Sequence, residues 1–207
     1  MDAHKLQLKI FATPEAARAV DPEGFVPVLH RWIKERRLPE LVIDVASYLH
    51  VQQGPGVVLI GHGSDYFLDE REGRLGLLHN RKRAGFAPGE RLEDLARRTL
   101  FAASLLEQDP ALGGKLRFAT GELLFRVNDR LAASNDEAGL SGVRPELEAL
   151  AARLYGAGAF TLERVGTPKD LLSVRITSRA AVPLATLLER AGGRPAADAS
   201  LVAAPAP

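Results

Sequence analysis

Apolar and polar positions alternate at the start of the chain, in "KLQLKIFA". Leu6, Leu8 and Ile10 stand against Lys5, Gln7 and Lys9, the period-two mark of a half-buried strand. Thr13–Pro14 and Asp21–Pro22 each supply a capping side chain followed by proline, a helix-opening device. A helix is then expected over Phe25 to Ile33, because Phe25, Val28, Leu29, Trp32 and Ile33 fall on one stripe. Four apolar runs follow: Leu41–Val51, Val57–His62, Asp65–Glu70 and Leu75–Asn80. The separators "QQGPG", "GS" and "REGR" have turn chemistry and are too short for parallel crossovers, so an antiparallel meander is expected. Glu90 to Leu106 reads as a helix with Leu92, Leu95, Leu100, Ala103 and Leu106 inward and Glu93–Arg97 and Asp94–Arg98 pairs on its wet side.

Gly113–Gly114 is the best internal break. Beyond it, "KLRFATGELLFRVND" reads as a strand or tight hairpin, and "RLAASNDEAGLSG" as a polar loop before a helix opened by Pro145 and closed at Gly156. "AFTLERV" and "LLSVRIT" flank "GTPKD" as a hairpin, and a last helix spans about Val182 to Ala191. Both halves run strand, helix, hairpin, helix. The fold class is therefore α+β: antiparallel sheet packed with helices in two similar lobes. The lobes are residues 1–112 and 113–193, with an Ala/Pro-rich tail, 194–207, expected to be disordered.

Composition narrows the function. The 207 residues carry 27 basic and 26 acidic side chains, a net charge of +1, which favours neither nucleic acid nor an anionic membrane. No apolar run is long enough to cross a bilayer, and "MDAHKLQLKIF" lacks a signal-peptide pattern. A cytoplasmic protein is the expectation. With no cysteine, disulfides, thiolate metal sites and thiol catalysis are excluded. P-loop, dinucleotide and zinc-helix motifs are absent.

The stretch "VVLIGHGSDYFLDE", Val57 to Glu70, concentrates the candidate chemistry. A serine-hydrolase elbow requires glycines where His62 and Tyr66 stand. Gly61 to Ser64 is similar to the Gly-His-Gly-Ser of the small metal chelatases of tetrapyrrole synthesis, in which His62 would face the metal. Here, however, Asp65 replaces a basic residue and a strand follows instead of a helix. A hairpin turn at Gly63–Ser64 accounts for the stretch better.

With that turn, His62 pairs with Asp65, Val51 with Val57 and Glu70 with Leu75, and side chains sort by parity. Leu41, Ile43, Val45, Leu49, Val51, Val57, Leu59, Leu68, Leu75 and Leu77 form a core face, with His79 beside Tyr66. The other face is mixed. Asp44, His62, Asp65 and Asn80 gather at one end of it, a candidate catalytic group in which His62 is a base oriented by a carboxylate. Asp44, His62 and Asp65 are the candidate ligands of a divalent metal. No cofactor is otherwise expected. The alternative is a cross-strand pair stabilising a hairpin end.

Val58, Ile60, Phe67 and Leu78 share that face and need a cover, so they are the candidate interface of a homodimer or a protein partner. "HNRKR", His79 to Arg83, reads as a solvated loop, with an anion contact by Arg81 or Arg83 as the sharper option. Asn128, Asp129, Arg130, Asn135 and Asp136 form either a polar pocket or a turn. Through "HRWIKERRLPELVIDVASYLHV", "GPGVVLIGHGSDYFLD" and "RVNDRL", the chain resembles a group of bacterial proteins with no assigned activity, so the resemblance implies none. Two functions stand: association through the mixed face without catalysis, or a metal- or small-molecule-dependent enzyme or binder at Asp44, His62 and Asp65.

Overall fold

The computed structural model describes residues 3–82 and 90–198. Among these residues, five α-helices and eight strands form an α+β fold on one all-antiparallel sheet. The first half contributes β1 (Leu6–Ala12), α1 (Pro14–Ala19), α2 (Phe25–Glu35), β2 (Val42–Ser47), β3 (Val57–Gly61), β4 (Ser64–Asp69), β5 (Gly76–Arg81) and α3 (Arg91–Glu107). The second contributes β6 (Phe118–Val127), α4 (Glu137–Tyr155), β7 (Phe160–Val165), β8 (Ser173–Ser178) and α5 (Leu184–Arg190). Sheet order is β2-β3-β4-β5-β1-β6-β8-β7. In each half the first strand pairs with the last, β1 with β5 and β6 with β8. The halves join where β1 and β6 run antiparallel at the sheet centre.

Local sequence explains the element ends. Thr13 Oγ1 accepts from Ala16 N and Asp21 Oδ1 from Glu23 N, as their Pro-following positions predict. Phe25, Val28, Leu29 and Trp32 of α2 are fully buried. Of the two forms expected for residues 115–129, the strand is the one observed, as β6. One element differs from the expectation: α4 begins at Glu137 with Asp136 as its cap, leaving Pro145 inside the helix. Asp136 accepts from Gly139 N, a stronger start signal than the proline.

Side chains of β1, Leu6, Leu8 and Ile10, join Val57, Leu59, Leu68, Leu77, Leu123, Phe125, Val174 and Ile176 in one contiguous core with the inward stripes of all five helices. At about 25 cal/mol per Å² of apolar surface buried, this layer supplies most of the drive to fold. Since every α-helix packs into that cluster, the opposite sheet face carries no α-helix among the described residues. Nor is any helix of the described residues long and apolar enough to cross a membrane.

The meander's registers differ from expectation in instructive ways. β4 and β5 pair as expected, with Asp65 opposite Asn80. In the β3–β4 pair, Ile60 lies opposite Asp65, so the turn is His62–Gly63. Gly61 is required there: a Cβ would stand 2.4 Å from the Ser64 carbonyl oxygen. The β2–β3 pair is displaced furthest, because β2 ends at Ser47 and the segment 48–56 coils through successive turns. Leu49 and Val51, expected in the core, are therefore 37% and 43% exposed. A bulge between Val42 and Asp44 also turns Ile43 outward, leaving it 58% exposed, while Val42 is buried.

Candidate functional site

The helix-free face is built from alternate residues of every strand. One row across it runs Ala46, Val58, Phe67, Leu78, Lys9, Leu124, Arg175. The next begins Asp44, Ile60, Asp65, Asn80, Gln7, Arg126. Ile60 and Phe67 remain half-buried. Val58 and Leu78 are buried by their neighbours, yet lie outside the helix-side core. These four are the interface residues expected from the sequence, and the structure places them together.

The candidate cluster is brought together only in part. Asp44 and Asp65 flank Ile60, and Asp65 adjoins Asn80. Asp65 is engaged by Lys82 at 2.7 Å and by the Gly61 amide at 3.2 Å. Asn80 accepts from Gln7 and Asn128, both at 3.1 Å. Asp44 accepts from its neighbour's amide, Val45 N, and His62 is exposed in the turn. Among the described residues, no three His, Asp or Glu side chains gather as a cation-binding set.

Three features of the site had no signal in the pattern of residues. The first is Lys9, which alternation assigns to the wet side of β1 but which is 0% exposed. A 3₁₀ turn, Arg71–Gly73, folds over it. Its ammonium donates to Asp69, to the Arg71 carbonyl at 3.0 Å and to Glu72 at 2.8 Å, using all three protons. Burial alone would raise the Glu72 carboxyl, but hydrogen bonds and charge from Lys9 and Arg126 hold it below the ordinary value.

The second is a charge ladder beside that turn. Arg74 donates to Glu122 at 2.8 Å, and Arg126 donates to Glu72 and, through Nε, to Ser173 at 3.3 Å. Arg175 faces Glu122 at 3.2 Å and Glu163 at 3.5 Å. Arg74, Arg126 and Arg175 line a cavity of about 230 Å³ with Phe11, and the Arg74 guanidinium lies 4.1 Å from the Phe11 ring centroid.

The third is a cleft of about 910 Å³ at the sheet's end, in the size range of small-molecule sites. Tyr48, Leu49 and Val51 from the β2–β3 connection line it opposite Glu70 and the Arg71–Gly73 turn. Gln53 and Glu72, both in left-handed backbone conformations, stand on its two walls.

Beneath α3 lies a buried polar network. Ser64 and Tyr66 both donate to Glu40, and Arg98 donates to Asp94 at 2.8 Å and Asp198 at 2.6 Å. Arg81, expected in a solvated loop, is buried and donates to Asp94 at 3.1 Å. Arg83 lies outside the described residues. Likewise the Asp94–Arg98 pair is buried, while Glu93 takes Arg153 at 2.6 Å. Asp198 anchors the start of the tail; residues 199–207 lie outside the described residues.

His79 stacks on Tyr66 with ring centroids 4.4 Å apart. Burial, then the Arg98 charge, push His79 down to about 3; its Nδ1 meets Thr99 Oγ1 at 3.2 Å, and its Nε2 has no hydrogen-bond partner among the described residues. Burial, then the Glu40 charge, raise Tyr66 well above its ordinary value. Burial lowers Arg81, whereas for Arg98 the charges of Glu40 and Asp94 outweigh burial and raise it. These groups are buried and tie α3 to β4 and β5.

The loop 128–136 serves as a turn. Asn135, 1% exposed, donates to the carbonyls of Val165 and Thr167 and so fixes the β7–β8 hairpin. No protein-family model, curated protein or solved structure matches the chain.

Proposed function

We propose that this protein acts by association, without catalysis, a second copy covering the helix-free sheet face. The observation that carries this reading is the segregation of all five helices to one face, with Ile60 and Phe67 half-exposed above Val58 and Leu78 on the other. A sheet face with an apolar centre and charged rows around it is built to pack on another layer. Two-fold pairing with an identical face needs no further partner. Face-to-face sheets stand about 10 Å apart, so Phe67 would interdigitate with its partner's apolar row.

Sedimentation velocity of the wild type and of Phe67→Glu tests this. The wild type should sediment as a dimer at micromolar concentration, and Phe67→Glu as a folded monomer with unchanged circular dichroism. A monomeric wild type, or a dimer indifferent to the substitution, would overturn the proposal.

A further inference from the structure

We infer that the three-arginine cavity on the open face is a binding site for a phosphate monoester. Arg74, Arg126 and Arg175 approach it from three separate segments: the stretch between the 3₁₀ turn and β5, β6, and β8. Each guanidinium is held by a carboxylate: Arg74 and Arg175 by Glu122 of β6, Arg126 by Glu72 of the 3₁₀ turn. Those carboxylates fix the arginines without using up their donors. A guanidinium has five N–H groups. Arg74 donates to Glu122 through Nη1, Arg126 to Ser173 through Nε and to Glu72 through Nη2, and Arg175 meets Glu122 through Nε without the alignment of a hydrogen bond.

Three planar donor forks arriving from different directions suit a tetrahedral, doubly charged oxyanion better than a planar carboxylate, which one fork satisfies. Lys9 adds a fourth positive charge behind Glu72. Around the cavity, Lys9, Arg74, Arg126 and Arg175 face Asp69, Glu72 and Glu122, and a fourth carboxylate, Glu163, meets Arg175 at 3.5 Å from a side chain that is 68% exposed. At about 230 Å³ the cavity takes a phosphate head, and the Phe11 ring in its lining suits an organic substituent. The inference does not require dimer formation: the cavity is complete within one chain, at β6 and β8, three and four strands away from Phe67 on β4.

Isothermal titration calorimetry with phenyl phosphate and with inorganic phosphate tests it, on the wild type, Arg74→Gln, Arg175→Gln and the remote control Arg153→Gln. Saturable binding of phenyl phosphate is expected in the wild type and in Arg153→Gln, weakened about tenfold or more in Arg74→Gln and Arg175→Gln. It should fall as salt rises. Phenyl phosphate should bind more tightly than inorganic phosphate. Absence of saturable binding at low ionic strength, or equal affinity in the arginine variants, would overturn the site. Equal affinity for the two probes would overturn its assignment to a monoester. Repeating the titration on Phe67→Glu separates this result from the association proposal, because a monomer should bind equally well.

Discussion

Replacing His79 with phenylalanine should flatten the acid dependence of stability between about pH 7 and pH 4. In the folded protein His79 is stacked on Tyr66, 1% exposed, and pushed down to about 3 by burial and by Arg98. In the unfolded chain it titrates near its ordinary value of 6.5. Between those values the unfolded state binds a proton that the native site refuses, so stability rises with pH across the window and is lost on acidification. Each pH unit below 6.5 costs about 1.4 kcal/mol, so near pH 5 this one residue removes about 2 kcal/mol. Phenylalanine preserves the stacked ring and gives up the Nδ1 contacts with Thr99 Oγ1 at 3.2 Å and the Leu95 carbonyl at 3.4 Å, a cost common to both pH values that cancels from the difference. Urea unfolding followed by circular dichroism near pH 7 and pH 5 measures the difference. The wild type should lose about 2 kcal/mol more than His79→Phe. Equal losses would show that His79 is not held neutral, and the sealed network would be wrong.

Two further substitutions probe the supports of the open face. Lys9→Met leaves buried Asp69 with only the Arg71 amide at 3.2 Å and the Arg71 guanidinium at 4.0 Å and should cost about 3 kcal/mol in urea unfolding, whereas Lys9→Met with Asp69→Leu should recover much of that loss. A cost below about 1 kcal/mol for the single variant would mean the turn is not tied down by the ion pair. Gly56→Ala should cost on the order of 3 kcal/mol in the same assay, because φ is +68° and a Cβ would lie 2.0 Å from the Leu68 carbonyl oxygen. Wild-type stability for that variant would show that the β2–β3 connection rearranges freely.

Much of the fold is legible in periodicity. The stripe from Phe25 to Ile33, the capping pairs at Thr13 and Asp21, and the strand parities of β3, β4 and β5 all follow from side chains that must share a face. Parity survives even the two-residue displacement at the His62–Gly63 turn, because a shift by two keeps each side chain on its face. The bulge at Ile43 is different in kind: one extra residue inverts parity, and its cause lies in backbone pairing that no alternation records. Leu49 and Val51 were misplaced because "SYLHV" has strand composition but lies in a connection whose turns are fixed by Gly54 and Gly56. The charged site was the least legible. Lys9 sits at a wet-side position, and what buries it is a turn sixty-odd residues away in sequence. Arg74, Arg126 and Arg175 come from separate segments and converge only once β1, β6 and β8 are neighbours. That Val58, Ile60, Phe67 and Leu78 share one face was readable since it needed only parity, whereas the placing of Asp44 and His62 depended on the registers that shifted.

The account rests most on the open face being where two copies meet, and isoleucine methyl NMR examines that directly. The chain has five isoleucines: Ile10, Ile33, Ile43, Ile60 and Ile176. Ile10 and Ile176 are in the helix-side core and Ile33 is on α2, while Ile60 lies on the open face. On dilution from high to low micromolar protein, the Ile60 methyl signal should shift or broaden as the dimer dissociates, while Ile10, Ile33 and Ile176 hold their positions. An unchanged Ile60 signal across a range in which the protein dissociates would contradict the account, and a shift confined to Ile33 would place the interface on the helices instead.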